Sequence, residues 1–245
     1  MSIENNVPVL RENRLLSTLP ISEYKRLVPH LKLVQLSFEQ ILIEPEEPIT
    51  HVYFPHKAMV SLITTMENGS SVEVAVVSNE GVVGISVILG TNTTTTRAIV
   101  QIPESAMQMR ADVLKTEFHR GGILQSLLLR YIHALHTQVA QGVACNSLHT
   151  IEQRLARWLL VVSDRLQSDR LFLTQEFISQ MLGVRRSSVS VAAKTLSNAG
   201  IMCYNRGHIS IINREALEVA SCECYRVLKN EYEQFLVKEF KRNIR

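Results

Sequence analysis

Residues 175–194, QEFISQMLGVRRSSVSVAAK, constrain this chain more than any other stretch. They read as two short helices joined by a tight turn at Gly183. Ile178, Leu182, Val184, Val189 and Ala192 fall where a small shared core is needed, and Ser179 is small where the helices must approach. The other face of the second helix carries Arg185, Arg186, Ser187, Ser188, Ser190 and Lys194. An apolar underside beneath a cationic, hydroxyl-rich face is what a helix-turn-helix needs to lay a helix in the major groove of DNA.

The flanking residues extend this unit. Thr174 is placed to cap its first helix, and Gly200 to end the second. Residues 201–204 and 209–212 read as two strands around Asn205-Arg206-Gly207-His208. Such a hairpin is a wing, presenting Arg206 and His208 to the DNA backbone or minor groove. Residues 170–245 hold 12 Lys or Arg against 7 Asp or Glu, and 183–214 hold five basic residues and no acidic one. The overall charge of +3 is modest, so this local excess is the electrostatic footprint of a phosphate-binding face.

The period changes along the chain. Residues 11–31 have helical spacing, broken at Pro20. From 32 to 110, short alternating runs at 33–36, 40–43, 51–54, 59–63, 72–77 and 98–102 read as strands, with Glu67-Asn68-Gly69-Ser70 as a hairpin turn. Punctuated strands of this kind predict an antiparallel jelly roll. From 111 to 143 the spacing is helical again. Leu124, Leu128, Tyr131, Leu135, Val139 and Gly142 form a long apolar stripe, which either covers the sheet or lies along its own twin; it is assigned to a dimer seam. A second helix, 147–167, turns Leu148, Ile151, Leu155, Trp158, Leu159 and Val162 inward and Arg154, Arg157 and Arg165 outward. An amphipathic helix over 225–241, ending with Phe240, closes the chain. The expected fold is α+β, with a β-roll domain at 1–110, a dimerisation helix at 111–145 and a winged-helix domain at 146–245.

This order, and the segment LTQEFISQMLGVRRSSVSVAAKTLSNAGIMCYNRGHISII, resembles the Crp/Fnr family of bacterial transcription regulators. The resemblance implies a homodimer reading a near-palindromic DNA site, with RNA polymerase as a further partner. In that family the second helix carries an arginine that pairs with a guanine edge, and Arg186 falls on its position. The family's neighbouring acidic reader is Ser187 here and its second arginine is Val191, so the half-site is expected to differ from the usual family sequence. Cyclic-nucleotide binders of the family carry a Gly-Glu pair for the ribose hydroxyl and an arginine for the cyclic phosphate. Here Ile85 follows Gly84. Thr96 stands at the arginine position, or Arg97 with a one-residue slip. An effector pocket would comprise Gly84, Ile85, Thr96 and Arg97 with no carboxylate for the ribose, and no cyclic nucleotide is expected. The iron–sulfur branch uses clustered N-terminal cysteines, and residues 1–144 contain none.

Other chemistry is thin. Cys145, Cys203, Cys222 and Cys224 show no paired framework, which suggests a reducing cytoplasm. Cys222-Glu223-Cys224 is expected on a helix, where positions i and i+2 point apart, so it reads as two small buried side chains. No metal and no cofactor are predicted. No catalytic fingerprint is present and an enzyme is not expected. The first residues lack the pattern of a leader peptide, and no apolar run approaches the roughly 20 residues that span a bilayer. Two rival functions remain: a cyclic-nucleotide-gated sensor, and a winged-helix protein-interaction module that does not touch DNA.

Overall fold

The computed structural model describes residues 12–237. The first eleven residues, on which the leader reading partly rests, and Phe240 lie outside them. The described residues divide into two compact units, 12–63, 75–136 and 231–237 in the first, and 64–74 and 137–230 in the second.

The first unit opens with α1 (Arg14–Ser17) and α2 (Ile21–Leu27), separated at Pro20 as the spacing predicted. Asn13 anchors this start. Its Oδ1 accepts from the Leu16 N–H at 3.1 Å, while its Nδ2 donates to the carbonyls of Pro55 and Gly81 at 2.9 and 3.0 Å. Seven strands follow: β1 (Lys32–Gln35), β2 (Ile41–Ile43), β3 (His51–Pro55), β4 (Met59–Thr65), β5 (Ser71–Val77), β6 (Arg97–Ile102) and β7 (Ser105–Arg110). They form two sheets, ordered β1-β7-β3 and β2-β6-β4-β5. This is the expected β-roll. Strand β7, central to the first sheet, was not foreseen. Its Ser-Ala-Met-Gln-Met-Arg has none of the β-branched residues that mark strands. The β4–β5 turn falls at the predicted place, with Gly69 at φ +81° and its N–H on the Met66 carbonyl.

The helical region from 111 is two helices, α3 (Ala111–His119) and α4 (Gly122–Leu148). Gly121 and Gly122, both at positive φ, make the break. The Glu23 carboxylate then caps α4, accepting from the N–H groups of Ile123 and Leu124 at 3.0 and 2.8 Å. Leu124, Leu128 and Tyr131 lie in the core of the first unit, Tyr131 stacking obliquely on Phe235. That corrects the seam expected along this stripe: side chains buried within their own chain cannot meet a partner, and Leu135 is itself half-buried against that core. Only Val139 of the six is exposed, with Gly142 half-exposed.

In the second unit, α5 (Ile151–Leu166) starts at a capping box formed by Thr150 and Gln153. Leu148, expected to face inward, is exposed beyond this cap. Then come β8 (Arg170–Phe172), α6 (Gln175–Leu182), α7 (Arg186–Asn198), β9 (Met202–Asn205), β10 (His208–Ile211), α8 (Arg214–Ala220) and α9 (Cys224–Val237). Strand β8, which was not expected from the sequence, pairs with β10 to give a sheet ordered β8-β10-β9. Arg214 ties α8 to α5. It bonds to Asp164 and to Ser163 Oγ, and Tyr225 on α9 donates to the same Asp164 at 2.7 Å. Burial and the Asp164 carboxylate push the Tyr225 phenol up from its ordinary range. No helix among the described residues is long and apolar enough to cross a membrane.

Candidate nucleic-acid interface

The site is built on α6 and α7. Thr174 Oγ1 accepts from the Phe177 N–H at 3.1 Å, which fixes the start of α6. Gly183 ends that helix at φ +62°, a conformation that strains other residues. A Cβ there would also come within 2.9 Å of Val72. The turn delivers Arg185 as the backbone cap of α7. Val189, Ala192, Ala193 and Leu196 are buried at helical spacing and hold α7 against its neighbours.

Arg154 corrects a sequence expectation. Read as outward-facing on α5, it is buried and donates to the carbonyl of Leu182 at the end of α6. A cation at a helix C-terminus satisfies a carbonyl that has no partner in the helix. Arg165 is half-buried and donates to Gln138 Oε1 at 3.3 Å. Trp158 is core as expected, its Nε1 donating to Glu73 Oε1 at 3.1 Å.

The exposed face of α7 is a single stripe. Ser187, Val191, Lys194, Thr195 and Asn198 recur at three- and four-residue steps, beside exposed Arg185 and Arg186. Val191, Thr195 and Asn198 were not among the predicted site residues, though stepping along the helix from Ser187 reaches all three. Val191 is 62% exposed, an apolar side chain amid polar ones. Two predicted members sit differently. Ser188 is half-buried, and Ser190 Oγ donates to Gln175 Oε1 at 2.6 Å, so that hydroxyl fastens α7 to α6.

The wing is as the sequence suggested. Arg206 and Gly207 both have positive φ, 48° and 87°, which makes the tight turn between β9 and β10. Arg206 and His208 are exposed, and His208 leans on Phe172 of β8 with ring centroids 4.8 Å apart.

The residues expected to line an effector pocket, all in the first unit, each have a local partner. Ile85 is 7% exposed and packs in the core. Gly84, at φ +89°, caps the short 3-10 turn Ile85–Ile88 and lies against Val52 and Ile49. Thr96 Oγ1 pairs with Thr94 Oγ1 at 3.0 Å. Arg97 Nε donates to Glu44 Oε2 at 2.8 Å, so its charge is already partnered.

The cysteines, in contrast, do come together. Helix α8 stops at Ala220 and α9 starts at Cys224, so Cys222 lies in a non-helical link and the premise that both cysteines sit on one helix fails. Cys145 Sγ is 3.5 Å from Cys222 Sγ, and Cys224 Sγ is 3.5 Å from His149 Nδ1. The hydrogen bond shared by Cys145 and Cys222 holds the Cys145 thiol below its ordinary range and pushes Cys222 up in turn.

The fold is that of a winged-helix protein with a β-roll domain. Residues 153–220 match the family model described as the Crp-like helix-turn-helix domain. No curated protein matches the sequence. Among solved structures, FixK2 from Bradyrhizobium japonicum is similar at 18% identity and a TM-score of 0.69, covering 78% of this chain and 98% of that one. A Crp/Fnr-family transcriptional regulator from Thermus thermophilus is similar at 15% identity and a TM-score of 0.63, covering 78% and 98%. The c-di-GMP-responsive global regulator CLP from Xanthomonas campestris is similar at 12% identity and a TM-score of 0.61, covering 78% and 99%. The chain thus has the Crp/Fnr fold and carries a match to the Crp-like helix-turn-helix domain at residues 153–220.

Proposed function

We propose that this chain is a homodimeric, sequence-specific DNA-binding transcription regulator, and that α7 is its reading helix. One observation carries the reading. The outer face of α7 is a continuous stripe of cationic, hydroxyl, amide and small apolar side chains with no carboxylate, flanked by a cationic wing. In this reading Arg186 forks onto a guanine edge, worth roughly 1–3 kcal/mol of discrimination. Val191 meets a thymine methyl, an apolar contact that a cation there would replace. Arg185, Lys194 and Arg206 meet phosphates.

Two copies pair along the face of α4 that the core leaves free. Leu129, Ile132, His136, Val139, Val143 and Asn146 follow alternating three- and four-residue steps, the spacing of a two-helix seam, with Ile132 half-buried against the core and the rest exposed. Leu129 is 50% exposed and Val143 65%. This seam shares Val139 with the one expected from sequence and is rotated around the helix from it. A cyclic nucleotide does not bind at Gly84–Arg97 in this reading, because Ile85 stands where a ribose carboxylate is needed and Arg97 is committed to Glu44. Calorimetry with cyclic AMP and cyclic GMP is expected to give no binding heat.

Selection of bound duplexes from a random library at stated salt tests the main reading, and an enriched near-palindrome is expected. Arg186→Ala should relax one base position in each half-site. Lys194→Ala should weaken all sequences alike and reduce the salt slope by about 1. No enrichment, or both variants keeping wild-type affinity and selectivity, would show that α7 does not read DNA.

A further inference from the structure

We propose that Cys145, His149, Cys222 and Cys224 bind one zinc ion in a closed three-cysteine, one-histidine site. The four ligand atoms all lie within 4.8 Å of one another. Zinc–sulfur bonds of about 2.3 Å in a tetrahedron place neighbouring ligand atoms about 3.8 Å apart. The Cys145–Cys222 and Cys224–His149 separations, both 3.5 Å, are already near that value. An iron–sulfur cluster would need its ligands spread around several metal and sulfide atoms. This cage has room for one ion.

The chain supplies the ligands in two local pairs, as structural zinc sites do. Cys145 and His149 are four residues apart where α4 ends, so they share a face. Cys222 and Cys224 flank one residue in the link before α9, free of the helical geometry that would turn them apart. The intervening Glu223 does a second task. Its Oε2 lies 3.2 Å from His149 Nε2. A carboxylate on one ring nitrogen fixes the tautomer that leaves the other, here the Nδ1 facing Cys224, free to ligate. Gln141 Nε2 donates to Cys224 Sγ at 3.1 Å, the hydrogen bond that a ligating thiolate accepts.

Burial and charge fit the same ion. All three thiols are buried and His149 is mostly so, which leaves no open position for a water or substrate and makes the site structural. Three thiolates around Zn2+ carry a net charge of −1. Arg154 and Arg157 of α5 each have a buried Nε with no hydrogen-bond partner among the described residues. Arg154 also holds the Leu182 carbonyl at the end of α6.

Elemental analysis of the full chain purified under reducing conditions should give one zinc per chain. Cobalt added to chelator-stripped protein should produce tetrahedral ligand-field bands with thiolate charge transfer, and zinc should abolish them. Cys222→Ser and Cys224→Ser should lose the metal, and Glu223→Gln should weaken it about 10–100-fold. Cys203→Ser, at an exposed thiol outside the cluster, should keep one zinc per chain. The cobalt titration uses the wild-type chain, so a variant that fails to fold does not decide the outcome. Substoichiometric zinc with no thiolate band would overturn the site, as would iron with acid-labile sulfide, or a mass lower by two hydrogens from a Cys145–Cys222 disulfide. None of these readouts involves DNA, so the site stands or falls apart from the regulator reading.

Discussion

His56 shows how one buried side chain makes the stability of the first unit depend on acidity. It is buried, with Nδ1 3.2 Å from Ser105 Oγ and 3.8 Å from a carboxylate oxygen of the exposed Glu12. Burial lowers its pKa below the ordinary 6.5, and the attraction of Glu12 and Glu104 only partly offsets this. The sign follows. On acidification the unfolded chain takes up the proton first, at about 6.5, while the folded chain resists until its lower pKa. The stability that neutral His56 permits is complete above the unfolded value. It declines as pH falls below it, by up to about 1.4 kcal/mol per pH unit, and levels off below the folded value. Denaturant unfolding of wild type and His56→Gln between pH 7.5 and 5 should therefore show a shallower loss in the variant. Identical slopes would mean that His56 is not the titrating group.

Helix α4 is the element whose role was hardest to read. It is apolar on more than one face, so periodicity alone offers two stripes and does not say which one the sheets consume. The structure decides through one close approach. Gly81 lies against the ring of Tyr131, whose hydroxyl donates to the Val82 carbonyl at 3.2 Å. A Cβ at Gly81 would come within 2.5 Å of that ring. Gly81→Ala should therefore cost about 1–3 kcal/mol from overpacking, read as a lower Tm, and Gly81→Ala with Tyr131→Leu should recover part of it. An unchanged Tm in the single variant would show that the helix does not pack this closely. Features fixed by neighbours in sequence were legible beforehand: the Glu67–Ser70 turn, the Thr174 cap, the Gly183 bend and the Arg206-Gly207 wing. Features that depend on distant partners were not. Strand β8 is a strand because β10 pairs with it, Arg154 is buried because Leu182 offers a carbonyl, and Cys145 meets Cys222 across 77 residues.

At the scale of the whole molecule, the regulator reading requires two copies. One α7 covers only a few base pairs, whereas a two-fold pair reads half-sites one helical turn, about 34–36 Å, apart. The seam proposed on α4 gives this a direct test. Val143 is its most exposed apolar member, so Val143→Glu places a carboxylate opposite its own copy, where like charges repel and each must be desolvated. Light scattering should then give a monomer at concentrations where wild type is a dimer. Since Val143 lies on the exposed face, the Tm of the monomer should change little apart from the lost self-association. DNA binding should change in form as well as strength. Affinity falls with salt in proportion to the phosphates neutralised, and a lone protomer neutralises half as many. The variant should bind a half-site and a full palindrome alike, with about half the wild-type salt slope. A Val143→Glu chain that remains dimeric would place the two-fold axis on another surface. A monomer that keeps the full slope would mean that one copy makes all the phosphate contacts, and the near-palindrome would lose its physical basis.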